Sequence, residues 1–426
     1  MRNIKLLVFV GLLLINGCGR EAAKRTREPY TPVNVTLSQV QTQAHQQFAL
    51  NLIRETCLHY DDSNLIFSPL SVQIALAMCA NGIDDEDFKG IARAFGMPDA
   101  TREEFNEFHQ QLFALLKRPS EFVAADSVNA LFYNQLGVLN PDFEQTLRQR
   151  YNAEIQTFDP ANPSGGAVAM NDWVRRATDG DIRELIKASD IDGMSLGFFL
   201  NAFVLDAMWD EPFSDSPSRR FYPETGEPRD IPMLHRSQIA AYADATTIIV
   251  RVPFKGKEVS YYILTPRQER DMMLYDDKPF KNPITLQQLL QELTPKRWEQ
   301  LRAKLQNPYG STEVYMPRFE LSSTIEFEKP LQKIGIVESF ENADFSRMFA
   351  KRPPTPEPPD FIDFVRQAAK IEVTAARVRV SGAAEVGTAV ASIPAILYID
   401  RPFVYLIVHE PTGVIMHAGV LRYPPE

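Results

Sequence analysis

Cys57 and His59 stand two positions apart in the run QQFALNLIRETCLHY and are residue types that bind zinc. On a helix that spacing points the two side chains apart, so they do not share an ion. The six histidines fall at 45, 59, 109, 235, 409 and 417. His409 and His417 lie in C-terminal strand patterns and read as structural. No H-E-x-x-H, P-loop, G-x-G-x-x-G after a strand, or G-x-S-x-G nucleophile elbow is read from the chain. Carboxylates are plentiful, but none forms a pair that the sequence places in a cleft. The chain therefore reads as a non-enzyme with no metal and no cofactor; a surface lipoprotein enzyme with an unrecognised site is the competing reading.

A different stretch draws attention. In KIEVTAARVRVSGAAEVGTAVASIPAILYIDRPF, residues 370–403, the span from Thr374 to Ile393 holds no aromatic ring and just three charges, Arg377, Arg379 and Glu385. It is too apolar for a solvated loop and too small-sided for an ordinary core strand. Val378, Val380, Gly382, Ala384, Val386 and Thr388 share one face by the period of two, and all the charges fall on the other. A half-buried sheet accepts such a strand.

The net charge of −10 argues against nucleic acid as a partner, because phosphate binding needs a basic face. At the N-terminus, Arg2 and Lys5 precede the apolar run LLVFVGLLLI, Leu6 to Ile15. That run is too short to span a bilayer and suits the core of an export signal. It ends in INGC, which resembles a bacterial lipobox. Residues 1–17 then form a signal peptide, Cys18 carries the lipid, and the protein is exported and held on a bacterial membrane or cell surface by that anchor alone. A plain secretory signal with an incidental cysteine is the alternative. Cys57 and Cys79 could pair in an oxidising compartment, but their apolar helical surroundings favour two buried free thiols.

Residues 18–40 read as a lipidated N-terminus and tether, and 41–426 as one large α+β domain. A helical pattern begins near His45 and continues in segments to about residue 120. Ser68 and Pro69 mark one helix start, Asn140 and Pro141 another. From residue 199 strands dominate (FFLNAFVLDAMW, TTIIVRVPF, VSYYILTP), interrupted by one helix, ITLQQLLQELTPKRWEQLRAKL. The proline-rich KRPPTPEPPD, residues 351–360, predicts an exposed connection.

The closing run LYIDRPFVYLIVHEPTGVIMHAGVLRYPP resembles the last strands of the serpins, with Asp400, Arg401, Pro402 and Phe403 at that family's signature and Pro411-Thr412-Gly413 at its turn. NLIFSPLSVQIALAMCANG is similar to the opening of its helix B, with Ser68 and Ser71 at the shutter serines. NDWVRRATDGDI resembles its helix F and following turn. LNAFVLDAMWDEPF matches the strand with the shutter asparagine, Asn201, and the breach tryptophan, Trp209. MPRFELSSTIEFEKPLQKIGIVESFENADFSRM is equally typical, so the resemblance spans nearly the whole chain after the tether.

The resemblance implies a serpin fold, helices around three β-sheets with an exposed reactive-centre loop at about 374–400. It implies a monomeric suicide substrate for a serine protease, with cysteine proteases as a second class. The loop is cut, then inserts as a new strand into the central sheet, releasing stored strain. Counting back from Arg401-Pro402-Phe403 puts the scissile bond at Ala391-Ser392, and the small residues before it suit an elastase-like protease. Two positions depart from the family. The hinge reads Arg377, Val378, Arg379, Val380 where inhibitory members favour glycine and small residues, and Gln367 stands at the shutter histidine. The atypical hinge supports the alternative of a non-inhibitory serpin-fold binding protein or protease substrate.

Overall fold

The computed structural model describes residues 4–11, 35–117, 121–178, 180, 182–271, 283–305, 312–355, 360–375 and 395–424. Strand β1 (Ile4–Gly11) is followed by helix α1 (Gln39–His59), strand β2 (Leu65–Phe67) and helices α2 (Pro69–Ala80), α3 (Asp85–Ala94) and α4 (Arg102–Lys117). Next come β3 (Val123–Asn134), the short β4 (Val138–Leu139), α5 (Pro141–Tyr151) and β5 (Ala153–Phe158). Helix α6 (Pro163–Ala177) leads into β6 (Ser195–Ala207), β7 (Ser214–Phe221), β8 (Arg229–Ala243), β9 (Thr247–Pro253) and β10 (Val259–Pro266). Helices α7 (Leu286–Glu292) and α8 (Pro295–Lys304) precede β11 (Thr312–Pro317) and β12 (Phe319–Glu326). After α9 (Glu328–Lys333) and α10 (Glu338–Glu341) the chain closes with β13 (Phe349–Lys351), β14 (Asp360–Val373), β15 (Ala395–Tyr398), β16 (Phe403–His409) and β17 (Val414–Leu421).

Among the described residues these strands make three sheets. One has six strands in the order β12-β14-β1-β6-β3-β5. A second runs β15-β11-β8-β9-β10-β16-β17-β2, with β7 paired to β8, and a two-stranded ribbon joins β13 to β4. Helix α2 lies between the first two sheets and is buried at every position. This is the α+β architecture the sequence implies.

Local chemistry sets the helix starts. Ser68 caps α2 by accepting from the Ser71 N–H, and Pro69 takes the first helical position, where a missing N–H is harmless. Asn140 caps α5 in the same way. Helix α1 begins earlier than the apolar pattern suggests, because Ser38 and Gln41 form a reciprocal capping box ahead of a polar first turn. The helix therefore crosses the tether boundary expected at residue 40. The single helix expected over 284–305 is two, since Thr294 caps a new start at Pro295. Nor is the proline-rich insert exposed at its trailing end: Asp360 is fully buried and accepts from both terminal nitrogens of Arg352.

The apolar run expected as a signal core contributes β1, which lies between β6 and β14 and parallel to both. Its backbone pairs Val10 with Gln367 on one side and with Asn201 on the other. An apolar run short enough for an export signal is also long enough for one sheet strand.

The sequence gives no hint of a polar chain inside the helical layer. His45 of α1 meets Gln73 of α2 at 2.8 Å, Gln73 meets His109 of α4 at 3.3 Å, and the far nitrogen of His45 accepts from the Ile415 N–H at 3.0 Å. Burial holds His45 at about 4 and His109 at about 3, both well below the ordinary imidazole value. His409 is paired to Thr412 at 2.8 Å, whereas His417 is buried against Phe203 with no partner for either ring nitrogen among the described residues. Both remaining thiols are free and buried, with Cys57 pushed up to about 12 by burial. Because His45 and His109 are held neutral, the unfolded chain binds more protons between their folded values and about pH 6.5, so stability falls as pH falls through that window. His45 alone represents on the order of 3 kcal/mol. Denaturant midpoints measured from pH 7 to pH 4 should drop steeply below about 6.5, and His109→Gln should flatten the slope.

Candidate functional site

The described chain stops at Ala375 and resumes at Ala395. The hinge residues Arg377, Val378, Arg379 and Val380, the bond Ala391-Ser392, and Cys18 lie outside the described residues. What the structure defines is how the chain is held on either side of residues 376–394.

At the leading end, the Trp209 indole N–H donates to the Thr374 carbonyl at 2.9 Å, and the Phe213 N–H donates to the Ala375 carbonyl at 2.7 Å. Trp209 is itself stacked on Phe254 at 4.8 Å, with Phe213 and Tyr261 edge-on. Burial beneath this ring keeps the Tyr261 hydroxyl neutral, its pKa raised far above the ordinary value. Trp209 thus holds the chain just past the end of β14 at Val373.

At the trailing end, the Arg401 guanidinium donates to both carboxylate oxygens of Asp271, at 2.5 and 2.9 Å, and to the Tyr398 carbonyl at 3.1 Å. The two side chains are 2% and 7% exposed. In so dry a setting a bidentate pair is geometrically exacting, and losing one partner strands a buried charge. Asp271 belongs to this site, yet the sequence carries no sign of it. Behind the anchor, Gly413 adopts φ +67 in the turn between β16 and β17, and its N–H donates to the His409 carbonyl at 2.8 Å.

The expected shutter residues form two groups. The Ser68 hydroxyl donates to the Met416 carbonyl at 2.6 Å, and the Ser68 N–H donates to the Gln367 side-chain oxygen at 2.9 Å. So Gln367, on β14, does reach the helix start, and it does so without a titrating group. Asn201 on β6 turns the other way, donating to Asn129 at 2.7 Å and Ser127 at 3.2 Å on β3. Strand β1 runs between the two groups. The Ser71 hydroxyl, the Asn201 side-chain oxygen and the Gln367 side-chain nitrogen are buried without partners among the described residues.

The sequence reading misses one catalytic spacing. Gly193-Met194-Ser195-Leu196-Gly197 has the G-x-S-x-G pattern. Ser195, however, opens strand β6 and is fully buried, with its hydroxyl 3.3 Å from Asp192. A nucleophile elbow needs a strand-to-helix turn that exposes the hydroxyl, so this serine has no catalytic posture.

Comparison with known proteins agrees with this geometry. The family model described as Serpin (serine protease inhibitor) matches residues 43–424. Neuroserpin of Mus musculus is 24% identical over 380 residues, covering 85% of this chain and 87% of its own length. Plasminogen activator inhibitor 1 of Bos taurus is 23% identical, covering 88% and 91%. Among solved structures, the thermophilic serpin Tengpin in its native state aligns with a TM-score of 0.77 at 21% identity, over 93% of this chain and 97% of its own. Human thyroxine-binding globulin aligns at 0.75 and 21% identity, over 91% and 99%. By the family match across almost its entire length, and by the fold it shares with these structures, the chain belongs to the serpin family.

Proposed function

We propose that this serpin is a single-use inhibitor of serine proteases, with cysteine proteases as a second target class. Its loop is cut at Ala391-Ser392 and then enters the sheet between β6 and β14. One observation carries the reading: that position of the sheet takes a strand, with backbone pairing to both neighbours, and in this structure residues 4–11 fill it. The loop leaves from the end of β14, beside the same position, and its uncharged face of Val378, Val380, Gly382, Ala384, Val386 and Thr388 suits burial there. A loop folding back from β14 pairs antiparallel to it, unlike the parallel β1. Strand β1 and the loop exclude each other. A chain processed before Cys18 has lost β1, and its sheet is open to the loop.

Export with a lipid on Cys18, in a bacterial setting, belongs to the same proposal. It rests on the basic start, the apolar run and INGC. No helix among the described residues is long and apolar enough to cross a membrane. A second reading, a serpin-fold binding protein or simple protease substrate, is favoured by Arg377 and Arg379 at the hinge. Arginine lacks the backbone freedom of the glycine the family favours there, and thyroxine-binding globulin, solved with thyroxine, shares the fold.

A denaturing gel of the processed protein with an elastase-like protease is expected to show a stable mass-shifted complex. The released peptide should begin at Ser392, and a new terminus outside residues 387–395 would overturn the register. Clean cleavage without a complex would favour the second reading. An arginine-specific protease should cut after Arg377 or Arg379 and inactivate without being trapped, because most of the inserting strand then loses its link to β14. Trapping through these arginines would refute the bond assignment.

Insertion should also raise the melting temperature of the cleaved form well above that of the intact processed form, since it adds a strand and buries Val378, Val380 and Val386. Full burial of each valine contributes about 1.5 kcal/mol or more. Val380→Asp would place an unpaired carboxylate in the sheet interior. That variant should be cut at a normal rate yet lose both the melting shift and the trapping. Equal melting temperatures for intact and cleaved wild-type protein would rule out insertion.

A further inference from the structure

Just beyond the trailing end of the loop, four strands present a row of side chains on the outer face of their sheet. Ile396 and Tyr398 come from β15, Glu313 and Tyr315 from β11, His235 from β8 and Arg219 from β7. Strand register places Tyr315 opposite Tyr398 on one side and His235 on the other. The rings follow: Tyr315 lies 4.8 Å from Tyr398 and 4.4 Å from His235, centroid to centroid. The Arg219 guanidinium sits 3.9 Å above the Tyr398 ring and donates to its hydroxyl at 3.1 Å. Ile396, paired with Glu313 in the ladder, is 44% exposed at the edge of the sheet.

This face is aromatic in the middle and positive at Arg219, with the Glu313 carboxylate 3.5 Å from the His235 ring. Nearby Arg220 and Arg318 lie close to Asp230 and Asp215, each at 3.5 Å. Arg219 has no carboxylate partner among the described residues, and is held by the Tyr398 ring and hydroxyl. Aromatic rings carrying a pre-positioned arginine are the side-chain types that dominate protein interfaces.

The occupant follows from chain length. Ile396 is four residue steps from Ser392, about 14 Å even when fully extended. A protease catalytic domain of about 230 residues has a radius of gyration of about 17 Å. An enzyme with its cleft on Ala391-Ser392 therefore has its body over this face. We propose that the row Ile396, Tyr398, Tyr315 and Arg219 is a docking face for the target protease. It would select enzymes that carry an aliphatic side chain and a carboxylate beside the active-site cleft. The proposal rests on the reading that the loop is a protease bait, and it adds which proteases are engaged: cleft preference alone does not decide the partner.

The test measures kcat/KM for cutting the loop of the full-length, processed protein by a panel of elastase-like proteases. Arg219→Glu and Ile396→Ala are compared with wild type, and a synthetic peptide spanning residues 385–395 controls for cleft preference. Both substituted side chains lie at the exposed sheet face, so unchanged melting temperatures are expected. For at least one enzyme of the panel each change should slow cutting about tenfold, on the scale of losing one interface anchor, with the peptide cut equally well throughout. Arg219→Lys should recover part of the loss, and added salt should slow wild type more than Arg219→Glu. Wild-type rates for both variants across the whole panel would overturn the proposal. The share of cut molecules that become trapped reports separately on inhibition: rates that fall with the substitutions, without any trapped complex, would uphold the docking face while removing the inhibitor reading.

Discussion

Strands β6 and β14 are parallel, and the backbone edges they turn toward each other must be paired by something. Buried N–H and C=O groups left alone are rare because each costs as much as a lost hydrogen bond. Two arrangements meet that demand: the strands close on one another, or a third strand separates them by roughly 9–10 Å, twice the inter-strand spacing. The structure shows the second, with β1 in the middle. The consequence is visible in the side chains. Asn201 and Gln367 both face β1 residue Val10 in register, and each keeps one polar atom unpaired among the described residues, as does Ser71. Backbone pairing is gained while side-chain pairing is given up.

Much of this was legible where chemistry is local. Ser68 and Pro69 announce a helix start because capping depends on neighbours three residues away. The order of short motifs, ending in Asp400-Arg401-Pro402-Phe403, was enough to indicate the family. Partnerships between distant residues were not legible. Nothing near Asp271 marks it as the counter-ion of Arg401, and nothing near His45 marks the chain through Gln73 to His109. Strand β7, SDSPSRRF, is almost wholly exposed and lacks any apolar alternation, so only its pairing with β8 makes it a strand. The run at residues 6–15 shows the converse limit: its apolar character fits an export signal and a sheet strand alike.

Gln367 also bears on where acid acts. The contact to the Ser68 backbone is kept by an amide that does not titrate, so protonation cannot loosen the sheet at that point. The buried imidazoles that do resist protonation sit beneath it, between α1, α2, α4 and β17, and they couple acid sensitivity to the helical layer.

The loop ends are fixed by groups that belong to the frame: the Trp209 indole and the Phe213 amide before it, the Asp271 carboxylate after it. None of them reads the sequence strung between. On the proposed reading of that segment as a bait, it could therefore be rewritten residue by residue with little penalty to the body that carries it, provided the face of Val378, Val380, Gly382, Ala384, Val386 and Thr388 stays small and uncharged. On that reading, a lineage using this frame could follow a changing set of proteases by editing one short stretch, leaving Trp209, Phe213 and Asp271 as they are.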